Sequence, residues 1–136
     1  MPVFPSGVLA ASVLAAEDVS FLLVGSAALW LRNEIVSVGD ADVVIEPTEG
    51  NIYRLREALT GIAARPVPSM NILSGGSVVP VMTAYGKVDC LMKRGRQDWG
   101  RLRRGAGFLP VADVSVLVAA SVDAWELRRH YKGATE

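Results

Sequence analysis

Short apolar runs closed by small or polar residues divide this chain into alternating segments. Phe21-Leu22-Leu23-Val24 is four consecutive apolar residues ending at Gly25-Ser26, and Val43-Val44-Ile45 is a second run, preceded by Asp40-Ala41-Asp42 and stopped by Pro47. Runs this short, aliphatic or β-branched and bounded by turn residues, predict buried strands. Residues 27–33 between them are helix-permissive, so the stretch reads as strand, Gly-Ser turn, short helix, loop, strand.

The same reading extends to both ends. Ser6 is placed to cap a helix over 7–16, where Val8, Leu9, Val13 and Leu14 repeat at helical spacing, and a strand is expected over 19–24. Beyond Pro47 a helix is expected from 48–51 onward, with Asn51 as its cap and Ile52, Leu55, Leu59 and Ile62 on one face; Gly61, Pro66 and Pro68 end it. Residues 67–84 carry no clear period, and 71–73 and 78–81 are read as short strands that their neighbouring prolines demote to edges or loops. A strand over 88–92 contains Asp89. A basic helix over 97–104, bracketed by Gly95 and Gly105, a last strand over 111–118 and a helix over 121–131 capped by Ser121 complete the series. Trp30 is expected in the core. Alternating elements of this kind predict an α/β (α+β) fold, a small mixed β-sheet with helices packed on it, in a single domain across residues 1–136.

Composition narrows the class without changing this picture. About half of the 136 residues are apolar and a fifth charged, as in an ordinary folded protein. Apolar stretches break well before membrane-spanning length, and the first sixteen residues lack a basic start and contain two prolines, so neither a membrane anchor nor a signal peptide is expected and the cytoplasm is the default. The single cysteine, Cys90, sits in an apolar run and is read as a buried thiol. Formal charge is zero, but residues 1–60 hold eight acids and three bases and residues 61–136 six acids and eleven bases. Lys93, Arg94, Arg96, Arg101, Arg103 and Arg104 carry much of the second excess. They read either as a solvated helix face or as a strip for phosphate or RNA, with Trp99 as a stacking platform.

The candidate chemistry lies in the acids. Alternate residues of a strand share a face, which sets the carboxylates of Asp40 and Asp42 side by side. Like charges that close are costly unless a cation lies between them, and ligands that offer only oxygen select a hard ion such as magnesium. Each residue also has a plainer reading: Asp40 in a turn with Gly39, Asp42 facing solvent, Gly25-Ser26 as a helix cap, Asp89 on an edge strand.

Gly25-Ser26, a thirteen-residue spacer, Asp40-Ala41-Asp42 in a strand and a lone Asp89 on a later strand resemble the nucleotidyltransferase superfamily, the DNA polymerase β-like fold. Glu46-Pro47 through Asn51, with Arg54-Leu55 and Ala58-Leu59, resembles the segment after the metal motif of the abortive-infection-type toxin nucleotidyltransferases. Residues 19–132 can be laid along such a domain, with Arg128, Arg129 and Lys132 matching its C-terminal basic motif only loosely. The resemblance implies Asp40, Asp42 and Asp89 as catalytic ligands of Mg2+ or Mn2+, and Gly25, Ser26 and Lys93 as contacts to a nucleoside triphosphate. It implies transfer of a nucleoside monophosphate to an RNA, protein or small-molecule hydroxyl in a toxin–antitoxin or phage-defence setting. Polymerases and tRNA-maturing relatives carry an added substrate-binding domain; here an antitoxin, another partner, a homo-oligomer or a small acceptor is expected instead. The alternative from another class is an inactive member of the fold that serves as a binding module for a protein or nucleic acid.

Overall fold

In a computed structural model the described residues are 3–135, with side chains described through residue 128. Six strands form one mixed sheet in the order β3-β4-β2-β1-β6-β5. In chain order the elements are α1 (Ser6–Ala16), β1 (Phe21–Val24), α2 (Gly25–Leu31), β2 (Ala41–Ile45), α3 (Glu49–Gly61), α4 (Met70–Gly75), β3 (Val78–Thr83), β4 (Gly86–Leu91), α5 (Met92–Gly105), β5 (Gly107–Val111), β6 (Val114–Val118) and α6 (Ser121–Thr135).

β1 is central because it can be buried on both faces. All four of its residues are buried, and it pairs antiparallel with β2 and parallel with β6. β2 pairs in parallel with β4, and hairpins add β3 and β5 as the two edges. The edge role expected for Val78-Val79-Pro80-Val81 is borne out: Pro80, which has no amide hydrogen to give, lies in β3 at the rim of the sheet. The core joins Leu14 of α1, Leu22 and Leu23 of β1, Leu29 of α2, Val43 and Ile45 of β2, Leu55 and Leu59 of α3, Cys90 of β4 and Val116 of β6, all fully buried.

Several local expectations are corrected. Ser6 is the first residue of α1 and makes no cap; Pro5 holds that position. Thr48, not Asn51, caps α3, its hydroxyl accepting the Asn51 amide. Residues 71–73 are helical because Ser69 accepts the Ile72 amide and starts α4. α5 begins at Met92, so Gly95 lies inside it: a Cβ there would stand 1.8 Å from the Ile45 carbonyl oxygen, and only glycine lets the helix cross β2 so closely. The strand expected over 111–118 is the second arm of a hairpin whose turn contains Ala112 at φ 51. Ser121 is the first residue of α6, and its hydroxyl donates to the Glu34 carboxylate. Trp30 is partly buried, edge-on to Phe4. The side chains of Arg129, His130 and Lys132 lie outside the described residues.

Candidate functional site

The acids meet where β1 ends and β2 and β4 run side by side. Asp42 is opposite Val24 in the antiparallel β1–β2 pair and opposite Asp89 in the parallel β2–β4 pair. Parallel register puts equivalent residues of the two strands on one face, so the two carboxylates lie against each other and share a hydrogen bond. Burial is the largest reason that the Asp42 carboxyl is pushed up to about 7, followed by the charge and hydrogen bond of Asp89 and the charge of Asp40; Lys87 pulls the other way.

Gly25 closes the other side. Its φ of +68° is in the left-handed region, and a Cβ built on it would stand 2.5 Å from Asp42 Oδ2. The glycine at the β1–α2 turn therefore answers to two demands at once, a backbone that L side chains disfavour and a carboxylate pressed against it. Ser26 acts on the chain next to the site: its Oγ accepts the Gly39 amide at 3.0 Å, tying the long loop down one residue before Asp40.

Asp40, just before β2, adds its charge to that felt by Asp42 and is linked to Asp89 through an intervening cation. Lys87 stands between: its Nζ is 3.7 Å from Asp40 Oδ2 and 3.6 Å from Asp89 Oδ1. Among the described residues no three histidine, cysteine, aspartate or glutamate side chains are placed to hold a metal ion together. The donor set would still suit a hard divalent cation. It consists of carboxylates alone, and the upward push on Asp42 by its acidic neighbours is the crowding a cation relieves.

Lys93 is not brought to this cluster. It is exposed at the start of α5, beyond the end of β4 opposite to Lys87. The basic strip around it is largely engaged within the fold. Arg94 pairs with Asp98 at 2.8 Å, Arg101 with Asp98 at 3.6 Å and Asp123 at 3.2 Å, Arg96 donates to the Ser74 and Gly76 carbonyls, and Arg103 lies over the Phe108 ring. Trp99 packs partly buried against the core. Of the two readings of this strip, a solvated helix face or a strip for phosphate or RNA, the contacts within the fold fit the first, with Lys93 and Arg104 exposed.

Sequence reasoning missed Lys87. The signal was there: Lys87 and Asp89 are two apart on one strand and so share a face, but Tyr85-Gly86-Lys87 reads as a lead-in to the strand, not as part of it. The Cys90 thiol, expected buried, is inaccessible, and burial pushes it up to about 12, which leaves it unreactive.

No protein-family model matches the chain, and no curated protein matches it. A crystal structure of a Thermotoga maritima protein provisionally assigned as a nucleotidyltransferase is similar, at 16% identity and a TM-score of 0.58, over 93% of this chain and 85% of that one. Likeness at this identity speaks to the backbone, and the chain shares the fold of that protein. No helix among the described residues is long and apolar enough to cross a membrane.

Proposed function

We propose that the protein is a metal-dependent nucleotidyltransferase, and that Asp42 and Asp89 hold a divalent cation, Mg2+ or Mn2+, with Asp40 as a third ligand. The observation that carries this is the register of β2 against β4, which sets Asp42 beside Asp89 while Gly25 keeps the adjoining backbone free of a side chain. A fold of nucleotidyltransferase type supports the same reading.

In the reaction an acceptor hydroxyl oxygen bonds to the α-phosphorus of a nucleoside triphosphate, the bond to pyrophosphate breaks, and the hydroxyl proton is lost. A divalent cation supplies charge stabilisation for the attacking and leaving oxygens. The chain's own residues order the site. Asp42 and Asp89 present ionised oxygens from two adjacent strands, Ser26 fixes the approach to Asp40, and the Gly25-Ser26 turn is the surface along which the phosphates lie. Acceptors in keeping with this reading are an RNA, protein or small-molecule hydroxyl, and the likeness of Glu46-Pro47 through Leu59 to the abortive-infection-type toxins favours a toxin–antitoxin or phage-defence role with an antitoxin partner.

A second reading has one observation in its favour. Lys87 already provides a positive charge for Asp40 and Asp89, as expected of an inactive member that binds a partner without metal. Calorimetric titration of Mg2+ and each nucleoside triphosphate separates the two. The enzyme reading expects nucleotide binding that needs the metal, and transfer of labelled nucleotide that Asp42→Ala abolishes. Transfer that survives Asp42→Ala sinks the metal-ligand assignment.

A further inference from the structure

Lys87 is fixed by its backbone and held at its tip only by two long ion pairs. The β3–β4 hairpin pairs it with Met82, and the turn beside it is closed by the Thr83 hydroxyl, which donates to the Gly86 carbonyl at 2.8 Å and accepts the Tyr85 amide at 3.0 Å. From this anchored position the side chain, 40% exposed, extends to a point between Asp40, 50% exposed, and Asp89, 17% exposed. Its charge also acts on Asp42, so one ammonium serves all three acids.

Both contacts, at 3.6 and 3.7 Å, are ion pairs longer than a direct hydrogen bond. Neither carboxylate binds the ammonium rigidly, and a lysine has a flexible stem and a single charged point. An arginine here would bind such carboxylates through a fixed, two-pronged fork; a lysine can withdraw.

We propose that Lys87 is the resident counter-cation of this site: its ammonium holds the place between Asp40 and Asp89 in the metal-free protein and competes with a divalent cation for the same oxygens. The inference rests on the metal-site reading above and adds a threshold to it. Metal binding displaces the ammonium and releases Asp40, which then completes the ligand set. Displaced, Lys87, whose side chain is 40% exposed, is available to the anionic triphosphate that accompanies the metal. The lysine is thus a positioning residue for the metal, acting through the charge balance of the three acids.

Titration of the full chain with Mn2+ by calorimetry, and thermal unfolding in chelator and in Mn2+, test this with the wild type, Lys87→Met, Lys87→Arg and Asp42→Asn. Competition for shared ligands predicts that Lys87→Met binds Mn2+ about fivefold or more tightly than the wild type. The same variant unfolds at a lower temperature in chelator and gains more from Mn2+. Lys87→Arg, which keeps the charge, binds Mn2+ no better than the wild type. Binding by Lys87→Met alone also supports the inference, while removing the wild type from the metal-dependent enzymes. Equal affinities for wild type and Lys87→Met, with binding lost in Asp42→Asn, overturn the role of Lys87 and leave the metal site standing. Absence of Mn2+ binding in every variant overturns both.

Discussion

Gly25 and Asp42 are fitted to each other: the space that a Cβ on Gly25 would fill, 2.5 Å from Asp42 Oδ2, is held by the carboxylate. The contact joins the end of β1 to the second residue of β2, two strands whose antiparallel register already places Val24 opposite Asp42. Gly25→Ala therefore meets two penalties, a methyl group against an oxygen and an L side chain at φ +68°. Together they are expected to destabilise the protein by about 2–3 kcal/mol and to push the carboxylate out of line with Asp89. Urea unfolding measures the first effect and Mn2+ calorimetry the second; unchanged values for both would remove Gly25 from the site.

Asp42 also sets a pH dependence. Its folded-state value of about 7 lies above the unfolded value of 3.8, so over that interval the folded chain keeps a proton that the unfolded chain has lost. The resulting contribution to stability is fully present below the unfolded value and is lost as pH rises through about 7. Metal-free protein should accordingly lose stability from this group between mildly acid and neutral pH. Metal affinity should rise over the same interval, because the ligand must be ionised. Asp42→Asn cannot ionise and can donate to Asp89, so it should raise metal-free stability by roughly 1 kcal/mol at neutral pH and flatten the dependence. Urea midpoints at about pH 5 and about pH 8, in chelator, check the sign. A wild type whose stability rises over this interval while Asp42→Asn follows the same curve contradicts the assignment.

Two glycines of one helix should respond in opposite directions. Gly95 in α5 leaves its Cβ position 1.8 Å from the Ile45 carbonyl oxygen, backbone that cannot move without disturbing β2. Gly100, in the same helix, would place a Cβ 3.6 Å from the tip of Arg104, an ordinary contact with a flexible side chain. Gly95→Ala is expected to cost on the order of 3 kcal/mol or to prevent folding, whereas Gly100→Ala should stabilise by about 0.5–1 kcal/mol through helix propensity. Circular dichroism during thermal unfolding distinguishes them, and a tolerated Gly95→Ala would mean that α5 does not press on β2.

These pairs show what the sequence could and could not convey. The short apolar runs made β1 and β2 legible, and alternation along a strand was enough to turn Asp42 to the opposite face from its buried neighbours Ala41 and Val43. The resemblance of Gly25-Ser26 and the spaced acids to a known superfamily supplied Asp89, whose place beside Asp42 depends on β4 lying next to β2. Which strands are neighbours is a tertiary fact, and so are the contacts that explain Gly95 and Lys87. Gly95 looked like a helix boundary because glycine usually breaks helices, and the close Ile45 carbonyl is invisible in the linear chain. The β5–β6 hairpin was unread for a different reason: its turn uses Ala112 at φ 51 where asparagine or glycine would have announced it. In α4, six residues are too few to reveal a helical period, and only the Ser69 cap marked it.

Asn51, read as a helix cap, instead holds the strands that carry the site. Fully buried in the first turn of α3, its amide nitrogen donates to the Ser20 carbonyl at 2.8 Å and the Glu46 carbonyl at 3.0 Å, and its oxygen accepts the Ser20 amide at 2.7 Å. Ser20 precedes β1 and Glu46 follows β2, so a single side chain clamps the pair at the end away from Asp42. Asn51→Leu removes three hydrogen bonds and leaves the Ser20 amide without its partner, while the Ser20 and Glu46 carbonyls still accept the Glu46 and Thr48 amides, and should cost about 1–3 kcal/mol. Asn51→Asp has the same shape and keeps the Ser20 amide on one oxygen, but its other oxygen would face two carbonyl oxygens with no proton to give. Burial holds that carboxyl's folded-state value above its unfolded one, so the damage is smallest at acid pH, where it is protonated, and grows as pH rises. Denaturant midpoints of the two variants across pH provide the measurement: Asn51→Leu should lose a constant amount, Asn51→Asp an increasing one. Parallel curves for the two would show that the hydrogen bonds of Asn51, rather than the absence of charge, are all that this position requires.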